Sequence, residues 1–325
     1  MKAILVSEDK SLRWDNVPDP ICGPEDCLVK IEAAAINRAD LMQREGDYPP
    51  PPGCPEWMGL EMAGTIVEVG EKAKAYWQVG DKVCALLGGG GYAQYANVKF
   101  DMLMPIPAGC SMVEAAALPE AFATAYLNLF IEGGAKAGDT LLITGGNSGL
   151  ASVTIRMAKA FGLRVITTVR GPEKAAAIAD LGADVIVDTT CENLETILQA
   201  QLDAGHGVDI AIDCLGGENM GKYLHCLNRG ARWIMIAALA GQLTQLDLKN
   251  VYVRNVRIIG STLRSRTPEV KAQILAQLVE KVWPKVATGE VKPTIYQVLP
   301  ITEAEKAQDL LYKSQSVGKV VMTVH

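Results

Sequence analysis

The chain has 325 residues, 49% of them hydrophobic, with 31 Lys and Arg against 37 Asp and Glu for a formal charge of −6. That length suggests about two domains, and the mild acidity speaks against a nucleic-acid partner, whose phosphates demand clustered cations. Apolar runs are short and interrupted, so no membrane-spanning helix is expected.

The start, Met1 to Val6 running into Ser7-Glu8-Asp9-Lys10, reads as a strand and a turn rather than a cleavable leader. The eight cysteines contain no Cys-x-x-Cys pair, so they read as free, mostly buried thiols of a cytoplasmic protein. Only His206, His225 and His325 are present, which removes most histidine chemistry from the first two hundred residues.

Residues 1–119 alternate short β-like runs, such as Cys27–Ala33 and Gly64–Gly70, with Gly and Pro. Tyr48 precedes the stiff stretch Pro49 to Pro52, and Gly88 to Gly91 read as a flexible loop. This part is expected to be antiparallel and partly barrel-like. From residue 120 the rhythm becomes strand–helix. Apolar runs at 139–144, 163–169, 183–187, 208–213, 231–236 and 256–261 are separated by helical stretches, including 151–161 and 172–181. Six near-continuous apolar strands in such alternation predict a doubly wound parallel sheet of Rossmann type. The expected division is 1–119, 120–262, and a tail, 263–325, that returns to the first domain. In the tail a helix is expected from Pro268 to about Val282, where Pro284 should end or kink it, then one from Ile301 to Ser314, then a strand from Gly318 to Thr323.

Between the first parallel strand and its helix stand Gly145-Gly146-Asn147-Ser148-Gly149-Leu150-Ala151. A dinucleotide's pyrophosphate approaches backbone N–H groups at a helix N-terminus, so the residues there must be small. At the end of the second strand, where an acid would bind the ribose of NAD, stands Arg170, with Lys174 one turn further on. Cations there suit the 2′-phosphate of NADP, so NADPH is the expected cofactor. The bland readings are a ligand-free turn and two solvated cations.

Several segments together resemble a known family. These are Ala35-Ile36-Asn37-Arg38-Ala39-Asp40 through Tyr48, Gly59-Leu60-Glu61-Met62-Ala63-Gly64, Val79-Gly80-Asp81-Lys82-Val83, Ala115 to Pro119 leading into Thr124, Asp213-Cys214-Leu215-Gly216-Gly217, and Val317-Gly318-Lys319-Val320-Val321. They resemble the zinc-free quinone oxidoreductases of the medium-chain dehydrogenase/reductase superfamily, in particular the tumour-suppressor-inducible branch, with zeta-crystallin more distant. The resemblance covers essentially the whole chain. It implies a GroES-like, mostly antiparallel β-barrel catalytic domain beside the Rossmann domain, and a homodimer or homotetramer whose sixth strand pairs across a two-fold axis.

The resemblance also carries site roles. Zinc-dependent relatives place Cys where this chain has Asn37 and His where it has Leu60; neither replacement ligates zinc, so no metal is expected. Glu61 then becomes structural, an acceptor for nearby backbone or for Arg38. Tyr48 would hydrogen-bond a substrate oxygen and Asn37 would contact nicotinamide or substrate. Thr124, Cys214, Gly216, Gly217, Ile236, Ala237, Ser261, Thr262, Leu263 and Lys319 would join the Gly145–Leu150 turn around the cofactor. The family's second loop tyrosine is replaced by Met42. The expected reaction is hydride transfer from NADPH to a quinone. Two alternatives stay open: reduction of an enone or enoyl thioester, and a cofactor-binding protein with a sensor or structural role.

Overall fold

A computed structural model describes residues 1–325, and they fold into two compact units: one of 1–123, 266–289 and 293–325, the other of 124–265 and 290–292. The sequence pattern alone sets these boundaries at 119/120 and 262/263.

The first unit opens with strands β1 (Lys2–Val6) and β2 (Leu12–Asn16), paired antiparallel. β3 (Asp26–Ala35) follows, alternating buried and open positions over its first half and wholly buried at its end. Helix α1 (Arg38–Glu45) stops at Gly46, whose φ of 97° only glycine takes without strain. Then come β4 (Glu61–Val69), β5 (Lys82–Leu86), β6 (Tyr95–Lys99), β7 (Leu103–Pro105), and helices α2 (Met112–Ala116) and α3 (Pro119–Tyr126). Ser111 caps α2 through a reciprocal pairing with Glu114.

The second unit carries β8 (Thr140–Ile143), α4 (Gly149–Ala160), β9 (Arg164–Val169), α5 (Pro172–Ala177), β10 (Val185–Asp188), α6 (Leu194–Asp203), β11 (Val208–Asp213), α7 (Asn219–Tyr223), β12 (Leu227–Met235), α8 (Leu248–Arg254) and β13 (Arg257–Gly260). Its sheet is wholly parallel, in the order β10-β9-β8-β11-β12-β13. That order reverses direction next to β8, and in open parallel sheets the crevice at the strands' carboxyl ends binds ligands there. The interior strands are apolar on both faces; Leu142, Ile166, Ala211 and Trp233 are buried together.

The tail, α9 (Pro268–Lys281), α10 (Trp283–Ala287), β14 (Ile295–Pro300), α11 (Ala304–Tyr312) and β15 (Lys319–Thr323), belongs to the first unit apart from 290–292. β15 pairs antiparallel with β3 and parallel with β14, completing a seven-stranded sheet in which β6 also pairs β3. Its core gathers Ile31, Met62, Ile66, Val83, Val320 and Met322.

Two expectations change. Gly88 to Gly91 are not an open loop: the Gly90 and Gly91 N–H groups donate to Trp57 O and Gly59 O at 2.9 and 3.0 Å, and Gly89 to Gly91 are buried. The helix expected over 172–181 is interrupted after Ala177 and ends in a 3₁₀ turn, Ala179–Leu181, with Gly182 at φ 91°. The helix expected from Pro268 to about Val282 is found as α9, ending at Lys281, and Pro284 falls in the first turn of α10, where proline is tolerated.

Candidate active site

In the parallel unit the Gly-rich turn is built by β9 as much as by its own residues. Gly145, at φ 69°, donates its N–H to Thr168 Oγ1 at 3.3 Å, and Gly146 N–H donates to Thr168 O at 2.8 Å. A Cβ on Gly146 would lie 2.5 Å from Thr167 Oγ1 and 2.9 Å from Ile178 Cδ1. Both glycines are therefore required by conformation and packing, with their N–H groups already spent. Ser148 caps α4 by accepting the Ala151 N–H at 3.1 Å. The Gly149 and Leu150 N–H groups, in the first turn of this twelve-residue helix, take no partner from the chain. They are the donors that fit a pyrophosphate oxygen, helped by the partial positive charge of the helix start. Asn147 lies in the turn itself.

The carboxyl ends of the other strands complete this face. Asp213 is fully buried and fixes the loop after β11 by accepting from Thr144 Oγ1 (3.2 Å), Leu215 N–H (2.9 Å) and Gly216 N–H (3.2 Å). Burial nevertheless pushes its carboxyl above the usual range. Gly216 sits at φ 66°, and a Cβ there would meet Gly241 O at 2.7 Å. Cys214 contacts Thr144 Oγ1 at 3.7 Å. Ile236, which donates its N–H to Asp213 O at 3.0 Å, follows β12. Ser261 and Leu263 are buried just past β13, while Thr262 is exposed and pairs with Ser265 at 2.5 Å. Thr124 lies in the last turn of α3, and its carbonyl accepts from Asn128 Nδ2 at 2.7 Å. Beyond β9, Arg170 is exposed and Lys174 half-buried; neither has a hydrogen bond or ion pair. An acid that sequence pattern does not single out stands near them. Asp188, at the end of β10, accepts the Gly171 N–H at 2.8 Å and is also held by Thr190, and these hydrogen bonds lower its carboxyl's pKa.

In the antiparallel unit a second polar centre forms where β3, β4, β15, α1 and α3 meet. β3 ends at Ala35, and Asn37 turns the chain into α1 with its N–H donating to Asp40 Oδ2 at 2.8 Å. The Asn37 side chain is engaged with the core. Its Oδ1 accepts from Lys319 Nζ at 2.7 Å and its Nδ2 donates to Glu61 Oε1 at 2.9 Å. Lys319 Nζ also donates to Glu61 Oε1 at 2.5 Å and to Ile36 O at 3.1 Å, which uses all three of its hydrogens. Glu61 is 0% exposed and Lys319 3%, so this ion pair is sheltered from water. Glu61 Oε2 takes the backbone N–H of Glu120 at 2.8 Å. Arg38, expected beside Glu61, donates instead to Leu311 O at 3.3 Å. Lysine wins that place because β15 carries it into the core beside β3, whereas Arg38 sits on the open side of α1.

Two further acids surround this pair. Asp40, buried, accepts from the Tyr92 hydroxyl (2.8 Å), the Gly59 N–H (3.2 Å) and Asn37; burial still pushes its carboxyl up to about 6. The Tyr92 hydroxyl is held well above its ordinary value by burial and the Asp40 charge. Glu120 is half-buried in the first turn of α3, and no hydrogen bond or ion pair ends on its carboxyl. Burial, then the Glu61 charge, raise it to about 7. Tyr48 lies half-buried on the loop after α1, and Leu60 is buried just before β4.

Asn37 has both polar atoms committed, Leu60 has no donor, and an ammonium already neutralises Glu61. Asp40, Tyr92 and Glu120 do not stand out in the sequence. The Asn37-x-x-Asp40 spacing is a usable signal, because it is that of a helix-capping pair. Glu120 after Pro119 reads only as an acid suited to a helix start.

The antiparallel unit matches the alcohol dehydrogenase GroES-like domain over residues 23–108, and residues 149–281 match the model described as zinc-binding dehydrogenase. A quinone oxidoreductase-like protein 2 homolog from Nematostella vectensis is 30% identical over 322 residues, covering 98% of this chain and 85% of that protein. The chain belongs to the medium-chain dehydrogenase/reductase superfamily. A quinone oxidoreductase from Mus musculus is 29% identical over 313 residues, 94% of this chain and 92% of that one. An alcohol dehydrogenase superfamily protein from Novosphingobium aromaticivorans has a solved structure with TM-score 0.86 and 28% identity, covering 100% of this chain and 99% of that one. As a member of this superfamily the chain is an oxidoreductase that uses a nicotinamide cofactor. No helix is long and apolar enough to cross a membrane.

Proposed function

We propose that this chain is a zinc-free, NADPH-dependent reductase of quinones. The observation that carries the reading is the Lys319 ammonium buried on Glu61 and Asn37, which leaves the polar centre of the antiparallel unit with no metal ligand set. Without a Lewis acid to polarise an alcohol, the chemistry that remains is hydride addition to an acceptor already electrophilic, and a quinone is such an acceptor. The similarity to quinone oxidoreductases supports this choice.

When bound, the dihydronicotinamide supplies the hydride. The chain's residues bind and orient. Gly149 and Leu150 N–H groups receive the pyrophosphate on a turn shaped by Gly145, Gly146, Asn147 and Ser148. Arg170 and Lys174, free of internal partners, receive the 2′-phosphate. Thr124, Cys214, Gly216, Ile236, Ser261, Thr262 and Leu263 flank the ribose and nicotinamide. Tyr48 donates its hydroxyl to the acceptor's oxygen. Asn37 and Lys319 serve through Glu61, holding β4 and α3 in register rather than touching a ligand. The protein works as a homo-oligomer joined at the β13 edge, where Ile258 is 41% exposed and Tyr252, on the preceding α8, 68%.

The test is a direct assay. Purified protein is mixed with NADPH and an ortho-quinone, with NADH in parallel, and loss of reduced cofactor is followed. Quinone-dependent oxidation with preference for NADPH is expected. Tight NADPH binding with no acceleration by any quinone would sink the quinone assignment, and enones and enoyl thioesters would be tried next.

A further inference from the structure

One group in the antiparallel unit is left unused by this reading. Glu120 holds Glu61 with its backbone N–H, yet its own carboxyl has no partner. Around it stand Glu61 on β4, Asp40 on α1, Lys319 on β15 and Lys271 on α9. Three carboxyls thus face one buried ammonium, whose hydrogens are spent on Glu61, Asn37 and Ile36. A second, independent relation comes from the helix. Glu120 and Thr124 are four residues apart on α3, so their side chains project from one face, with Cβ atoms about 6 Å apart. Thr124 is the α3 residue proposed to lie against the nicotinamide.

Resting on the reductase reading above, we propose that Glu120 is the proton donor that completes the reduction, passing its carboxyl proton to the oxyanion formed on the acceptor. The acceptor gains a hydride, two electrons with one hydrogen, from the dihydronicotinamide, which is oxidised. One acceptor oxygen is then an anion. Its O–H bond forms as the Glu120 O–H bond breaks, and the carboxylate left behind is reprotonated from solvent. One hydride and one solvent proton thereby convert quinone to hydroquinone. Such a donor must hold its proton at working pH and yet release it to the product. A carboxyl raised to about 7 is protonated in a large fraction of molecules at neutral pH, and it is a stronger acid than the hydroquinone product. Glu61 cannot substitute, because both of its oxygens already accept hydrogen bonds.

The experiment has two arms on wild type, Glu120→Gln and Glu120→Asp, with circular dichroism confirming the fold of each. In the first, infrared difference spectra titrate the carboxyl band that disappears in Glu120→Gln, with neither cofactor nor quinone present. The expected result is a protonated carboxyl persisting to neutral pH; one fully ionised by pH 5 would overturn the proposal whatever the activity. In the second, kcat and KM for quinone are followed against pH. Wild-type kcat should fall as pH rises past about 7. Glu120→Gln should lose about 100-fold in kcat together with that pH limb, at unchanged KM, and Glu120→Asp should recover part of both. Unchanged kcat in Glu120→Gln would overturn the donor role. If wild type binds NADPH but reduces no acceptor, the reductase reading fails and the donor step with it. The ligand-free titration keeps that failure distinct from a wrong assignment of the proton.

Discussion

Replacing Lys319 by Met preserves side-chain length and removes the charge at the centre of the antiparallel unit. In the native protein its ammonium satisfies Glu61 Oε1, Asn37 Oδ1 and Ile36 O at 2.5, 2.7 and 3.1 Å. The substitution leaves a fully buried carboxylate holding only Asn37 Nδ2 and the Glu120 N–H, with two acceptors newly orphaned. Removing one member of a buried ion pair costs about 3–5 kcal/mol, and the sheltered geometry places this pair in that range. At about 2 °C per kcal/mol, the low end for larger chains, the melting temperature should fall by roughly 6–10 °C. Adding Glu61→Gln should restore part of the loss, because the neutral amide keeps an acceptor for Glu120 and removes the unpaired charge. Thermal melts and urea midpoints of the four proteins at one pH form the double-mutant cycle. Hydrogen exchange on β3 and β4 should assign the loss to this unit. A drop of less than about 2 °C for Lys319→Met, or strict additivity in the double variant, would show that the pair contributes little and refute the argument.

Three further outcomes are expected. Arg170→Ala should weaken NADPH binding about 10- to 100-fold, the equivalent of one or two charge-assisted hydrogen bonds, and leave NADH nearly unchanged; fluorescence titration with both cofactors decides it. Gly59→Ala should destabilise by about 3 kcal/mol or more, read as urea midpoint, because Gly59 sits at φ 109° and its new Cβ would lie 2.4 Å from the Tyr92 backbone nitrogen. Glu120, raised from 4.5 to about 7, keeps a proton in the folded state that the unfolded chain has released between those values. Wild-type stability should therefore fall as pH rises through that window, whereas Glu120→Gln should lose this fall and gain about 1–2 kcal/mol on wild type at pH 8, after allowance for partial solvent access. Parallel stability–pH curves for the two proteins would contradict this.

Features governed by local pattern were legible from the residues alone. The parallel strands are apolar on both faces, so their six runs could be read without knowing their neighbours, and the small residues before α4 announced a tight turn into a helix. The position of Arg170 just past β9 was legible because it follows from strand counting. Tertiary structure decided what depends on residues distant in the chain. Gly145 and Gly146 proved to be committed to β9, since hydrogen bonds to Thr168 and packing on Thr167 use what their local sequence made available. Lys319 meets Glu61 across 258 positions of chain because β15 pairs with β3, a register that no local pattern encodes. The unpaired state of Glu120 is likewise a property of what surrounds it: a carboxyl's proton affinity is set by burial and by neighbouring charge, and both exist only after β4, β15, α1, α3 and α9 have come together.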